Sequence, residues 1–154
     1  MKSSCLLLLC GCLYNFSFAQ LKRPAPPGKK IDSLKLSCPL PGATMATPSD
    51  KGYGYKGDVK VLIKGKGDSL LLSPTDGKVD LVSVGDDGKD EIVMHYFNFN
   101  IWLTGVTESL VKKGDVVKKG QSIGKVKPDD EIELLLFNDE EPVDPRKFLD
   151  CKSQ

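Results

Sequence analysis

The chain has few histidines and few aromatic residues. Of its 154 residues only His95 is a histidine, and aromatic residues make up 7%. A catalytic zinc ion needs about three firm protein ligands, and a serine or cysteine nucleophile needs a nearby base, most often histidine. One histidine therefore argues against a histidine-dependent zinc hydrolase and against a Ser–His or Cys–His enzyme. The simplest interpretation of His95 is a strand residue that is hydrogen-bonded to a neighbour.

Long apolar runs are also lacking, apart from one near the start. Cys5 to Leu13 is apolar, Lys2 precedes it, and Ser17-Phe18-Ala19 provides the small residues that a signal peptidase accepts. This pattern predicts that residues 1–19 are a signal peptide, cleaved before Gln20. We therefore expect an exported protein, either periplasmic or extracellular.

Two alternatives stay open for this leader. A transmembrane anchor would need about 20 apolar residues, and Asn15 and Ser17 interrupt the run. Lipid attachment at Cys12, which follows Gly11, is the other alternative, and it would hold the protein at a membrane.

Neither sign of charge is in excess. The chain has 22 basic and 21 acidic residues, and the two numbers become equal once Lys2 leaves with the leader. Lys112, Lys113, Lys118 and Lys119 do cluster, but the glycines beside them indicate solvated turns. The sequence therefore predicts no nucleic-acid partner.

Cysteine is scarce outside the leader. Cys5, Cys10 and Cys12 lie within it, so that only Cys38 and Cys151 remain. An even pair in an exported protein predicts a disulfide, and the alternative is two unrelated thiols.

The composition divides the remaining chain into a linker and one domain. Residues 20–37 contain Pro24, Pro26 and Pro27 among lysines and have little apolar content, which is typical of a linker. We expect residues 38–151 to form the domain and residues 152–154 to be a tail.

Short strand-forming segments recur along the domain, separated by Gly, Asp and Pro. No window of 11 or more residues has a sustained helical period, and Thr107 to Val111 is at most one helical turn. The pattern predicts an all-β, two-layer sandwich or barrel. The predicted strands are Val59–Ile63, Leu70–Leu72, Val79–Val84, Glu91–Phe97, Ile101–Val106, Ser122–Val126 and Ile132–Phe137.

Three motifs, in order, resemble those of the lysostaphin-type zinc peptidase family. Ser73 to Val79 resembles its Ala-Pro-x-Asp-Gly-x-Val turn, and Val111 to Gly124 resembles its segment Val-x-x-Gly-Asp-x-Val-x-x-Gly-Gln-x-Ile-Gly. Val143-Asp144-Pro145, followed by Leu149, resembles its closing Val-Asp-Pro element. The resemblance covers Pro39 to Leu149 and implies the family's two-layer β fold, often called a duplicated hybrid motif.

The same resemblance implies that the zinc chemistry has been lost. The family's His-x-x-x-Asp motif falls where Gly54 or Tyr55 replaces the histidine, and Asp58 is the only ligand that could survive. A catalytic histidine is replaced by Thr104. We place the His-x-His motif at Leu134 and Leu136, which share one face of a strand while Leu135 lies on the other. His95 matches a family histidine that is not a ligand.

These residues lead to an expected site and function. We expect no cofactor, no metal and no catalytic residue, and a groove formed by Tyr53, Tyr55, Thr104, Leu134 and Leu136. The protein would be a catalytically inactive peptidase-like domain that binds cell-wall peptide or an envelope protein.

Two other functions stay open. One is a divergent zinc metalloendopeptidase that acts on peptidoglycan, against which the single histidine argues. The other is a biotinyl or lipoyl carrier domain, against which the leader and the lack of a Met-Lys-Met-like tip argue. The carboxylate runs Asp129-Asp130-Glu131 and Asp139-Glu140-Glu141 indicate solvated turns more than paired catalytic acids.

Overall fold

A computed structural model describes residues 34–46, 60–65, 67, 69–128 and 130–153. The predicted signal peptide, most of the predicted linker, and Tyr53, Tyr55 and Asp58 lie outside these residues. No helix within these ranges is long and apolar enough to cross a membrane.

The regular secondary structure of the described chain is almost all β-strand, because β-branched and other apolar residues alternate with polar ones between glycine-rich turns. The strands are β1 (Thr44–Ala46), β2 (Val61–Lys64), β3 (Ser69–Leu72), β4 (Gly77–Val84), β5 (Asp90–Tyr96), β6 (Phe99–Val106), β7 (Glu108–Ser109), β8 (Val116–Val117), β9 (Ser122–Val126), β10 (Glu131–Asn138), β11 (Glu141–Val143) and β12 (Lys152–Ser153). A 3-10 turn, Pro145–Lys147, follows β11.

The strands form two sheets. The larger sheet has the order β12-β1-β2-β10-β6-β5-β4-β8, and β11 adds to β10. The smaller sheet has the order β3-β9-β7. Strand pairs are antiparallel except β1 with β12. The expected all-β, two-layer architecture is confirmed.

One hydrophobic core lies between the two sheets. Leu71 and Ile123 contribute from the smaller sheet, and Ile92, Leu103 and Leu134 contribute from the larger; each of these five is 0% exposed. Burial of a side chain of this size contributes about 1.5–3 kcal/mol relative to exposure, so this core is the main source of stability.

All seven strands predicted from the sequence are present, with ends that differ by at most two residues. The strands without a prediction are short ones, and they include β7 at Glu108–Ser109. The segment Thr107 to Val111 therefore contains the two-residue strand β7, and not the single helical turn that the sequence allowed.

The packed fold extends beyond both expected boundaries. Leu34 and Leu36 are 6% and 1% exposed and belong to the core, although they lie in the predicted linker. Leu36 forms a parallel bridge with Leu149. Lys152 pairs with Thr44, so part of the predicted tail is a strand. Leu34 and Leu36 alternate with Lys35 and Ser37, but this pattern is too short to outweigh the linker-like composition of the segment before it.

The predicted disulfide is present. Cys38 and Cys151 are bonded, with Cα atoms 4.7 Å apart and a sequence separation of 113 residues. The backbone N–H of Cys38 also donates to the carboxylate of Asp150, and Asp150 N–H donates to the carbonyl of Leu36. The bond therefore joins the two ends of the described fold.

Gly105 is required by the backbone at the end of β6. Its φ is +81°, and a methyl group added there would lie 2.6 Å from the carbonyl oxygen of Glu131. Because both the left-handed conformation and the contact disfavour a side chain, we expect Gly105→Ala to lower the free energy of unfolding by about 2–3 kcal/mol.

Gly114→Ala is the matched control. Its φ is +96°, but an added methyl group meets no atom within 4 Å. Only the conformational cost applies, so the expected loss is about 1 kcal/mol. Urea denaturation of both variants measures the difference. Equal losses would contradict the close approach of β6 to β10.

Candidate binding groove

The pairing of β6 with β10 determines which side chains share a face. Glu133 lies opposite Thr104 of β6 and, on its other side, opposite Leu62 of β2. Because side chains alternate along a strand, Glu131 and Glu133 point to the same face as Thr104. The opposite face of β10 carries Ile132 and Leu134 into the core.

A groove of about 710 Å³ opens over this face. Its lining comes from β2, from the β4–β5 hairpin, from the end of β6 and from the start of β10. The lining residues are Leu62, Lys64, Val84, Gly85, Asp86, Asp87, Lys89, Glu91, Thr104, Gly105, Asp130, Glu131 and Glu133.

Carboxylates outnumber ammonium groups in the groove, six against two. Two of them are compensated: Lys60 Nζ lies 3.1 Å from Glu133 Oε1, and Lys89 Nζ lies 3.1 Å from Asp130 Oδ1. Glu131 is exposed and forms no ion pair with a described residue. The groove therefore has a negative potential.

Thr104 is the buried polar residue of this surface. It is 9% exposed, and its hydroxyl makes no hydrogen bond within the part of the chain that the structure describes. The Thr104 side chain lines the groove and its hydroxyl is not fully enclosed, so it is available to bond a group that enters the groove. Of the three expected site residues that the structure describes, Thr104 is the one that it places here.

Leu134 and Leu136 lie elsewhere. They are 0% and 1% exposed and belong to the core between the sheets, so neither presents surface to a ligand. Leu135 is also buried, at 3%, opposite Trp102. The β10 residues beside Thr104 on the groove face are Glu131 and Glu133, neither of which belongs to the expected site.

One signal for these glutamates was available. Glu131-Ile132-Glu133 alternates polar and apolar residues in the way of a half-buried strand. The three leucines that follow hide this alternation, because every residue of the run is apolar. The prediction of a solvated turn at Asp129-Asp130-Glu131 agrees with the structure at Asp130, whose N–H donates to the Lys127 carbonyl in a turn. Glu131 is exposed but is the first residue of β10, and both residues line the groove.

His95 lies away from the groove, on β5. Its Nδ1 atom is 2.5 Å from Asp80 Oδ2 on β4. This contact agrees with the interpretation of His95 as a strand residue bonded to a neighbour. A smaller cavity of about 280 Å³ lies beside it, lined in part by Phe97 and Val116.

The groove does not fit a catalytic zinc ion. Such an ion takes about three ligands from His, Cys, Asp and Glu, and within the described ranges no group of three or more of these residues is arranged to hold a metal. The Lys60 ammonium beside Glu133 would also repel a cation at that carboxylate.

The motifs that carried the family resemblance have structural roles. In Val111 to Gly124, the Asp115 carboxylate accepts a hydrogen bond from Lys112 N–H at 3.0 Å, and Gln121 Oε1 accepts one from Lys118 N–H at 3.0 Å. Gly114 and Gly120 have φ of +96° and +79°. The segment is thus a series of turns that its own side chains stabilise. Its aspartate, glutamine and glycine residues are needed to form these turns and take no part in catalysis.

Asp144 of the Val-Asp-Pro element stabilises the 3-10 turn that follows. Its carboxylate accepts hydrogen bonds from Arg146 N–H at 3.0 Å and from Arg146 Nε at 2.8 Å. The hydrogen bond from the Arg146 side chain lowers the pKa of Asp144 below its usual value, and the carboxylate in turn raises the pKa of Arg146. Because the pKa of Asp144 is lower in the folded state, this carboxylate stabilises the fold fully above its unfolded-state pKa. That stabilisation is lost as the pH falls through the folded-state pKa.

Comparison with known sequences finds little. No protein-family model matches the chain, and no curated protein matches it. Solved structures do match. Csd3 from Helicobacter pylori superposes with a TM-score of 0.63 at 22% identity, over 75% of this chain and 33% of its own. This chain therefore spans about a third of the length of Csd3.

Two further structures are similar over most of their own length. A chain of the SpoIIQ-SpoIIIAH pore forming complex has a TM-score of 0.57 at 15% identity, over 76% of this chain and 92% of its own. The catalytic domain of the antimicrobial peptidase lysostaphin from Staphylococcus simulans has a TM-score of 0.52 at 19% identity, over 70% and 87%. Together with the strand order and the motifs, these likenesses establish that the chain has the two-layer β fold of lysostaphin-type peptidases.

Proposed function

We propose that this protein is a non-hydrolytic, exported domain with a peptidase fold, and that it binds a polypeptide partner in the cell envelope through the groove. The observation that carries the proposal is the residue set at its centre. Thr104, Glu131 and Glu133 share one face, and Lys60 is paired with Glu133 at 3.1 Å. The Thr104 hydroxyl can form hydrogen bonds and the two carboxylates carry charge, and both properties suit the binding of a polar ligand.

Hydrolysis of a peptide bond in such a groove would need an activated water molecule. A zinc ion supplies one by lowering the pKa of bound water, and a general base supplies one by accepting its proton. Thr104 does neither at neutral pH, and Glu133 is held by the Lys60 ammonium. The other groove carboxylates lie on turns and at strand ends, and within the described residues none of them belongs to a group of three that could hold a metal.

Two features support an envelope location. The leader has the pattern of a signal peptide, and the Cys38–Cys151 disulfide suits an oxidising compartment. The likeness to a chain of the SpoIIQ-SpoIIIAH pore forming complex supports a protein partner, because in that structure the similar domain is part of a protein assembly.

The carrier-domain alternative has no support from the hairpins. The tight β5–β6 turn carries Phe97 and Asn98, so no lysine stands at its tip. Lys89, near the tip of the β4–β5 hairpin, is paired with Asp130. The metallopeptidase alternative is decided by the following measurement.

We expect the purified protein, after zinc loading and dialysis, to retain no stoichiometric zinc and to release no fragments from isolated peptidoglycan. The physical reason is the lack of a three-ligand set in the described groove. Elemental analysis and chromatography of the digest measure the two quantities. The zinc-loaded catalytic domain of lysostaphin serves as the positive control for both assays. One zinc per chain together with cleavage would refute the non-hydrolytic proposal.

A further inference from the structure

We propose that the groove binds a lysine or arginine side chain of the partner polypeptide. This inference rests on the proposed function and names the chemistry of its ligand. Three independent features of the groove carry it: uncompensated carboxylates, an unbonded hydroxyl at its base, and apolar walls between them.

The carboxylates provide the charge. After the Lys60–Glu133 and Lys89–Asp130 pairs are formed, Asp86 is exposed and Glu131 is exposed, and neither forms an ion pair with a described residue. Lys64 lies opposite Glu131 in the strand register without bonding it. A cation that enters the groove therefore gains attraction without breaking an existing pair.

Thr104 provides a directed acceptor. It is more than nine-tenths buried, lines the groove, and has no hydrogen-bond partner in the described residues. Both the ammonium and the guanidinium groups are pure donors, and a threonine hydroxyl accepts from either. An anionic ligand would find the Thr104 hydroxyl but would be repelled by the surrounding carboxylates.

The walls suit the stem of a long basic side chain. Val84 is 69% exposed and Leu62 is half-buried, and both line the groove beside the acidic residues. Lysine and arginine bury their methylene groups on apolar surface while the charged end contacts polar groups. The groove volume of about 710 Å³ accommodates such a side chain with its flanking backbone.

The test uses the full exported chain and fluorescein-labelled octapeptides in anisotropy titrations. The probe is an alternating Lys-Ala peptide. Its controls are the same peptide with acetyl-lysine, which keeps most of the stem and removes the charge, and an alternating Glu-Ala peptide. We expect binding of the Lys-Ala peptide alone, weakening as salt is raised because the attraction is screened.

Two groove variants and one control variant distinguish binding in the groove from attraction of the peptide to the overall charge of the protein. Glu131→Gln removes an unpaired charge and Thr104→Val removes the hydroxyl at nearly constant shape; we expect each to weaken binding about 5-fold to 10-fold. Glu140→Gln removes an exposed carboxylate on the β10–β11 turn, outside the groove, and should leave the affinity unchanged. Thermal unfolding checks that all three variants fold.

The remaining outcomes are decisive as well. Equal weakening by Glu140→Gln, or equal binding of the acetyl-lysine peptide, overturns the proposed cation site. An affinity that rises when Lys22, Arg23, Lys29 and Lys30 are all replaced by serine assigns the groove to the chain's own N-terminal segment, and this too overturns a partner lysine. Absence of binding refutes the cation inference alone, since zinc retention and peptidoglycan cleavage test the non-hydrolytic proposal separately.

Discussion

Replacement of both Cys38 and Cys151 by serine will lower the free energy of unfolding by about 4 kcal/mol. In the chain-entropy model a bond that spans 113 residues removes a large share of the unfolded chain's freedom, and the expected stabilisation of about 4–5 kcal/mol follows from that loop length. For a domain of this size such a loss is a large part of the usual total stability of 5–15 kcal/mol.

Urea denaturation of the wild type and of the double serine variant, each with and without dithiothreitol, measures this effect. The reduced wild type should match the serine variant, and the serine variant should not respond to the reductant. The hydrogen bonds of Asp150 with Cys38 N–H and the Leu36 carbonyl remain possible in the variant, so the fold itself should persist. A loss below about 1 kcal/mol would show that the disulfide restricts the unfolded chain far less than the chain-entropy model predicts.

Leu136→Ala will lower the free energy of unfolding by about 3 kcal/mol. Leu136 is 1% exposed in the core, and truncation of a buried leucine removes transfer free energy and leaves a cavity, at a cost of roughly 2–5 kcal/mol. If Leu136 instead lined an open groove, as its match to the family's His-x-His motif implied, the same truncation would cost little.

Leu81→Ala is the matched control because the same atoms are removed from a strand residue that is 43% exposed. We expect a loss of less than about 1 kcal/mol for this variant. Denaturant midpoints and slopes of both variants give the comparison. Similar losses for the two leucines would contradict the packing of Leu136 in the core.

The sequence was sufficient for the features that depend on local pattern. Strands such as β9 at Ser122–Val126 were predicted with their observed ends, because alternation and turn glycines act over a few residues. The disulfide was predicted because only one pair of cysteines remained after the leader. The three family motifs predicted the fold, since their aspartate, glutamine and glycine residues stabilise turns that this architecture requires.

Tertiary structure decided which residues form the groove, because the Glu131-Ile132-Glu133 alternation does not show which strands pack beside it. Leu134, Leu135 and Leu136 are all apolar, so their sequence contains no period that distinguishes the core face from the groove face. The register of β10 with β6, in which Glu133 lies opposite Thr104, assigns Leu134 and Leu136 to the core and Glu131 and Glu133 to the groove.

The same distinction applies to the ends of the domain. Leu34 and Leu36 lie in a segment whose composition is typical of a linker, and they are ordered by contacts with residues more than a hundred positions away, such as Leu149. Composition and periodicity describe what a segment favours by itself, so they determined the strands, the disulfide and the fold class of this protein. Pairing between distant strands decides which face of each strand is buried, and for that reason the acidic groove and the true extent of the domain could be found only in the folded chain.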